Sequence, residues 1–107
     1  KMIAERPEVV RGFVKAVLRA IDDIEADPAK AAAEYVAAVP QHAGKEAMIE
    51  GVMREYVALV YPAAEGLKRG MFDPERIKTV QDFYLANALV QIAVPVEDLY
   101  TNDFVAD

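Results

Sequence analysis

Few side chains in this sequence have the types and the spacing that chemistry requires. His42 is the only histidine and there is no cysteine, so a metal site would need carboxylates from elsewhere; a surface or capping role is the commoner use of such a residue. Glu46 and Glu50 lie one helical turn apart and could act as general acid and base, but that work requires an enclosing pocket that separates their pKa values. Lys45 and Arg54 flank the two carboxylates, which favours a solvated, salt-bridged helix face.

Two further patterns have equally plain interpretations. Arg11, Lys15 and Arg19 form a basic stripe that could meet an anionic partner, but neighbouring acids interrupt it, as on an ordinary exposed helix face. Residues 66–70 (GLKRG) lack both the preceding strand and the Lys-Ser/Thr ending of a phosphate-binding loop. The chain contains no serine, which excludes a serine nucleophile. We therefore expect no catalytic, metal-ligating or cofactor-binding residue in this chain, and no enzymatic activity that resides wholly within it.

The composition is that of a helical, globular chain. Apolar residues make up 54% of the 107 residues, and 19 of them are alanines, which favour helix and add little core volume each. Twelve basic residues against eighteen acidic ones give a net charge of −6. This balance argues against nucleic acid as a partner, because phosphate contacts require clustered Lys and Arg. No run approaches the roughly 18 apolar residues that a membrane span needs.

Four stretches repeat apolar residues at spacings of three and four, which predicts amphipathic helices. Pro7, Asp27-Pro28 and Asp73-Pro74 supply caps or first-turn prolines at helix starts. The apolar stripes are Val10, Phe13, Val14, Val17, Leu18, Ile21 and Ile24; Ala32, Tyr35, Val36 and Val39; Ile49, Val52, Met53, Tyr56, Val57 and Val60; and Ile77, Val80, Tyr84 and Leu85. The predicted ends lie near Ala26, before Pro40, at Tyr61-Pro62 and near Asn87, where asparagine would serve as a left-handed cap.

The remaining stretches predict loops and one extended tail. Residues 63–72 have no sustained period and read as a loop, and residues 92–96 look extended, with Pro95 confining them to a sheet edge or a crossing outside any sheet. Met48, Met53 and Met71 are interpreted as core filler. The predicted fold is all-α: residues 1–107 form a single helical segment of about four amphipathic helices with short Pro-capped connections and an extended C-terminal tail.

Four stretches, taken in order, resemble a known family. They are residues 6–16 (RPEVVRGFVKA), 24–31 (IEADPAKA), 70–76 (GMFDPER) and 95–105 (PVEDLYTNDFV). Their order and spacing are similar to those in the solute-binding proteins of ABC importers for nitrate, alkanesulfonates, taurine and thiamine-pyrimidine precursors. One departure is Asn87-Ala88-Leu89, where the family commonly has Gly-Leu-Ile after the fourth helix.

The resemblance implies a transport function and a larger protein. It covers the helical C-terminal third of a two-lobed α/β periplasmic binding protein, whose small anionic or heteroaromatic solute sits between the lobes. Most ligand contacts would come from the preceding two thirds, so the ligand-binding residues stay unknown and no cofactor is implied. The implied partners are the solute and the membrane permease of the importer. The implied location is periplasmic or extracellular, with lipid anchoring as an option.

Two expectations concern the chain itself. Met2, Ile3 and Ala4 are helix formers with no capping residue before them and no signal-peptide pattern, so we expect a segment cut from something longer. Apolar stripes without a sheet to cover would then favour self-association of the isolated segment. The alternative to transport is an autonomous helical module that binds a partner helix.

Overall fold

The computed structural model describes residues 1–105, and this part of the chain is all-α, with no β-strand. The helices are α1 Met2–Glu5, α2 Pro7–Ala26, α3 Pro28–Ala38, α4 Glu46–Leu59 and α5 Pro74–Ala86, and single 3-10 turns lie at Pro40–His42 and Val96–Asp98. The predicted all-α class is confirmed: α2 to α5 correspond to the four predicted helices, and α1 is a short addition. The chain divides into two compact units, Lys1–Pro62 (unit 1) and Ala63–Asp107 (unit 2).

Local sequence accounts for the junction between α2 and α3. The N–H of Asp27 donates to the carbonyl of Asp23 at 3.1 Å and closes α2. The Asp27 carboxylate then accepts the N–H of Lys30 at 3.0 Å, so one residue ends the first helix and caps the second. Pro28 occupies the first position of α3, where its missing N–H costs no hydrogen bond.

Unit 1 is organised around α3, which packs against both α2 and α4, while α2 also contacts α4. Ala32 and Val36, one turn apart on α3, are 1% and 7% exposed and are the only buried side chains among the described residues. An alanine at the crossing lets the helix backbones approach closely. The fully buried part of unit 1 is therefore confined to one turn of α3.

Helix α5 begins and ends with well-formed caps. The Asp73 carboxylate accepts the N–H of Glu75 at 2.9 Å. At the other end, Ala88 N–H donates to Leu85 O at 3.1 Å and Leu89 N–H to Tyr84 O at 2.9 Å, which is the bonding pattern of a Schellman motif. Ala88 occupies the left-handed position of this motif with φ of 54°.

The predicted left-handed cap at Asn87 is therefore wrong. Asn87 has φ of −99°, and its side-chain amide donates to the carbonyl of Phe83 at 2.8 Å. In a Schellman motif, the left-handed residue is the one that follows the C-cap residue. Asn87 is the C-cap of α5. The left-handed conformation thus falls on an alanine.

Two side-chain amides hold the rest of unit 2. The Gln81 amide donates to Val94 O at 3.0 Å and accepts Val94 N–H at 2.9 Å. The Asn102 amide bonds Phe72 in the same way, accepting its N–H at 2.8 Å and donating to its carbonyl at 3.0 Å. Tyr100 packs against Phe72 with ring centroids 5.8 Å apart and ring planes tilted by 53°. These clamps fix residues 92–95, which lie outside any sheet, and the C-terminal turn.

Several apolar side chains are exposed, and one of them was predicted to be core filler. Met48, interpreted as core filler, is 54% exposed, and Phe13 on α2 is 70% exposed. The apolar stripes are wider than the neighbouring helices cover, so the flank of each stripe faces outward. No helix in the described residues combines the length and apolar character of a membrane-spanning helix.

Candidate docking surfaces

The structure places His42 in the turn between α3 and α4, against the ring of Tyr35 at a centroid distance of 5.5 Å. The imidazole is half-buried rather than at the surface. Its Nδ1 atom is buried and has no hydrogen-bond partner among the described residues. His42 therefore packs as an aromatic ring between two helices. Within residues 1–105, no group of three or more His, Cys, Asp or Glu side chains is placed to hold a metal.

The two glutamates of α4 have separate partners. The Glu50 carboxylate receives the guanidinium of Arg54, with Nη2 at 2.6 Å and Nε at 2.9 Å from one oxygen. The Glu46 carboxylate accepts the N–H of Gly44 at 3.2 Å and closes the turn before the helix. The pair thus forms the salt-bridged and capped helix face that the sequence favours, without an enclosing pocket.

The basic stripe of α2 borders a polar groove at the junction with α3. Arg19, Asp23, Asp27, Lys30 and Glu34 line this groove of about 320 Å³. Charges of both signs alternate along it, and Asp27 already serves as the N-cap of α3. Lys30 lies 3.9 Å from the Glu34 carboxylate. Such a surface offers no uniform field for an anion or a cation.

Unit 1 contains an apolar pocket of about 370 Å³. It is built from the C-terminal end of α2, from α3, from α4 and from the residue before Pro62. Its lining residues are Ile24, Tyr35, Ile49, Val52, Met53, Tyr56 and Tyr61. Its walls are hydrocarbon and aromatic, so an apolar group is the occupant that it fits.

Helix α2 extends this apolar surface beyond the pocket. Successive residues of a helix are turned by about 100°, so its apolar side chains span about 180° of the circumference, against roughly 100° for an ordinary surface helix. One half of this arc is half-buried on the side of α2 that packs against α3 and α4: Val10, Val14, Leu18 and Ile21. The other half is exposed at Val9, Phe13 and Val17, with exposures of 38%, 70% and 43%.

Helix α4 repeats this division. Ile49, Met53 and Val57 are half-buried against its neighbours. An adjacent ridge with spacings of four, four and three is exposed at Met48, Val52, Tyr56 and Leu59. Because Val52 and Tyr56 also line the pocket, the exposed flank of α4 runs into the pocket wall.

Unit 2 has an apolar groove of its own, of about 360 Å³. Helix α5 forms its floor and the segment after the Schellman motif forms its side. The lining residues are Ile77, Val80, Gln81, Tyr84, Val90, Ile92, Val94 and Leu99. Ile92 is 78% exposed, and none of the lining side chains is buried. Through its amide, Gln81 ties the lining residue Val94 to α5.

The only resolved change in acidity among the described residues lies on the outer face of α5. A hydrogen bond to the Asp82 carboxylate, with Nζ–Oδ2 of 2.6 Å, and the attraction between the two charges raise the pKa of Lys78 above its usual 10.5. This pair joins successive turns of an exposed helix face, away from the residues that line the groove.

Sequence reasoning missed the two amide clamps. Gln81 and Val94 are 13 residues apart, and Asn102 and Phe72 are 30 residues apart. Nothing in their spacing distinguishes these amides from solvent-facing ones. Asn102 does lie in the sequence Thr101-Asn102-Asp103, whose residue types favour a turn, and this is the one local signal of a positioned side chain.

Comparison of the chain with protein-family profiles, with curated proteins and with solved structures found no match.

Proposed function

We propose that this chain is the helical C-terminal part of the solute-binding component of an ABC importer for a small anionic or heteroaromatic solute. The solute would be of the nitrate, sulfonate, taurine or pyrimidine-precursor type and would contact mainly residues outside this chain. In this proposal the chain has no catalytic step of its own, requires no cofactor, and acts outside the cytoplasm together with a membrane permease.

The observation that carries the proposal is the amount of apolar surface at helix-packing positions that nothing covers. Only Ala32 and Val36 are buried among the described residues. Large, contiguous apolar surfaces are uncommon on self-sufficient monomers and mark sites where further polypeptide packs. Four helices with half-covered stripes are what a covering segment of a larger protein would present.

Unit 2 offers a surface of defined shape for that packing. Its groove is held open by the Gln81 clamp, and its side chains Val90, Ile92 and Val94 alternate along the chain. The resembling stretches 70–76 and 95–105 include, respectively, Phe72 and Asn102, which the second clamp joins. In the proposal, these motifs shape a surface that seats on a lobe.

A thermal-shift titration tests the proposal. The longer protein that carries this chain at its C-terminus is titrated with taurine, an alkanesulfonate, nitrate and an aminopyrimidine. Saturation with the right solute, at about 100 times its Kd, stabilises the folded state by about 2.7 kcal/mol and raises the Tm by about 5 °C. The 107-residue chain alone serves as the matched control and should show no shift. An in-frame start codon directly before Lys1, with no longer protein, overturns the proposal.

A second candidate is an autonomous helical module that binds a partner helix. The exposed ridge Met48, Val52, Tyr56 and Leu59 on α4 favours it, because a row at these spacings is how a helix meets another helix in a groove. This function would require only the 107-residue chain. Binding of an amphipathic helix by that chain, without any upstream residues, separates it from transport.

A further inference from the structure

The exposed edge of α2 carries both a protruding ring and one wall of a pocket. Phe13 is the most exposed large apolar side chain of α2. Ile24 lies on the same edge, eleven residues later, and lines the pocket of about 370 Å³ in unit 1. With a rise of about 1.5 Å per residue, ring and pocket are about 16 Å apart along the helix axis.

A two-fold axis through the middle of this interval would bring each ring to the other copy's pocket. The midpoint between Phe13 and Ile24 lies between residues 18 and 19. In an antiparallel pair of α2 helices about that point, Phe13 opposes Ile24 and Val17 opposes Ala20. Such a contact is self-complementary, as a closed dimer requires. Ala16 and Ala20 on this edge are exposed and small, so the two helices can approach closely.

The pocket can hold the ring. A cavity of about 150 Å³ already accepts a benzene molecule, and this one measures about 370 Å³. Tyr35 and Tyr56 in its wall could meet an entering phenyl ring edge-to-face or offset.

The available area matches a stable interface. From their exposures, the α2 edge and the pocket wall together expose roughly 650 Å² per copy, backbone atoms and tyrosine hydroxyls included. A contact that covered this surface on both copies would bury roughly 1,300 Å², above the ~1,000 Å² expected of a specific interface. The side chains counted are Val9, Phe13, Ala16, Val17, Ala20 and Ile24 of α2 together with Tyr35, Val52 and Tyr56.

We propose that a second copy of this chain docks on the exposed edge of α2, with the two α2 helices antiparallel and Phe13 of each copy inserted into the pocket between α2, α3 and α4 of the other. The inference concerns the 107-residue chain and does not rest on the transport function. The solute titration and the oligomeric state can fail separately.

Sedimentation velocity of the 107-residue chain at concentrations from about 5 to about 200 μM tests whether the chain forms a dimer. The expected result is a reversible dimer. Phe13→Lys should raise the dimer dissociation constant about 100-fold, since a central aromatic anchor becomes a charge that must be buried. Ile92→Lys is the matched control: it changes a similarly exposed apolar residue in unit 2 and should leave the dimer intact. Circular dichroism checks that both variants keep their helices.

Cross-linking tests the register. The sequence has no cysteine, so Val17→Cys and Ala20→Cys introduce single thiols. When the two variants are mixed and oxidised, they should form a mixed disulfide dimer faster than either variant with Gln91→Cys, because Cα atoms in this pairing lie within disulfide reach. A monomer throughout the concentration range overturns the proposal. A dimer that survives Phe13→Lys, or that dissociates with Ile92→Lys, refutes the exposed edge of α2 as the docking surface. Equal cross-linking to residue 91 refutes the antiparallel pairing of Val17 with Ala20.

Discussion

Replacing Gln81 with alanine tests whether unit 2 depends on its side-chain clamp. The substitution removes two hydrogen bonds, of 3.0 and 2.9 Å, to the backbone of Val94. Each such bond contributes about 0.5–1.5 kcal/mol net, and Gln81 is half-buried, so we expect a loss of about 1–2 kcal/mol. A unit of this size has a stability of only a few kcal/mol, at roughly 0.05–0.15 kcal/mol per residue. Residues 92–95 should therefore detach well before α5 unfolds.

Amide hydrogen exchange of Val94, measured by NMR on the 107-residue chain, is the direct assay. Gln81→Ala should accelerate exchange at Val94 about 5- to 30-fold, the factor that 1–2 kcal/mol implies. Gln91→Ala is the matched control: the same substitution ten residues later removes an exposed amide that makes no side-chain hydrogen bond within residues 1–105. Equal exchange rates in the two variants would refute the reasoning.

Gln81→Glu separates the donor from the acceptor. An ionised carboxylate can still accept Val94 N–H but cannot donate to the Val94 carbonyl, whereas a protonated carboxyl can do both. The folded state should therefore favour the protonated form and raise the pKa of the new carboxyl above about 4.3. The stability of this variant should be restored as pH falls below that value and lost as pH rises through the raised pKa. A variant whose Val94 exchange, corrected for intrinsic pH dependence, does not change with pH contradicts the two-bond geometry.

The other predictions concern single positions. Ala88→Gly should stabilise the chain by about 0.5–1 kcal/mol in urea unfolding, because a left-handed alanine is strained and glycine is not; a loss of stability would contradict the Schellman assignment. His42→Phe should raise the free energy of unfolding by up to about 1 kcal/mol, because it removes an Nδ1 atom that has no partner within residues 1–105 and keeps the ring on Tyr35; a fall would show that the imidazole has a partner. Asp82→Asn should lower the pKa of Lys78 toward 10.5 in an NMR titration, because the hydrogen bond and the charge of Asp82 raise it. In the native chain, the stabilisation from this pair is present below about pH 10.5 and is lost as pH rises through the raised pKa.

The positions of the helices could be predicted from sequence because capping residues and first-turn prolines lie next to the helix starts in the chain. Asp27-Pro28 and Asp73-Pro74 each place a carboxylate and a first-turn proline within two residues, and both carboxylates cap as expected. Ala88 was missed because glycine or asparagine is the usual sign of a left-handed residue. Notably, the structure puts the left-handed residue within Asn87-Ala88-Leu89, the stretch where the chain departs from the Gly-Leu-Ile of the family that it resembles.

Burial was harder to predict than helix position. An apolar stripe indicates which face of a helix seeks a partner, but not whether the chain supplies enough neighbours to cover it. Phe13 and Val14 belong to one stripe, yet the first is exposed and the second half-buried. The difference depends on where α3 and α4 cross α2, which is a tertiary property. The candidate surfaces are therefore visible only in the structure.

Unit 2 combines these two lessons. None of its described side chains is buried, so caps and the Gln81 and Asn102 clamps contribute a large part of what orders it. Each of these contributes about 1 kcal/mol, whereas covering the groove beside Ile92 would add about 25 cal/mol for each Å² of apolar surface removed from water. A partner that fills this groove must therefore also slow hydrogen exchange at the Val94 amide, because a partner that covers residues 92–95 also orders them. Groove binding without added protection at Val94 would mean that the clamp alone already orders residues 92–95.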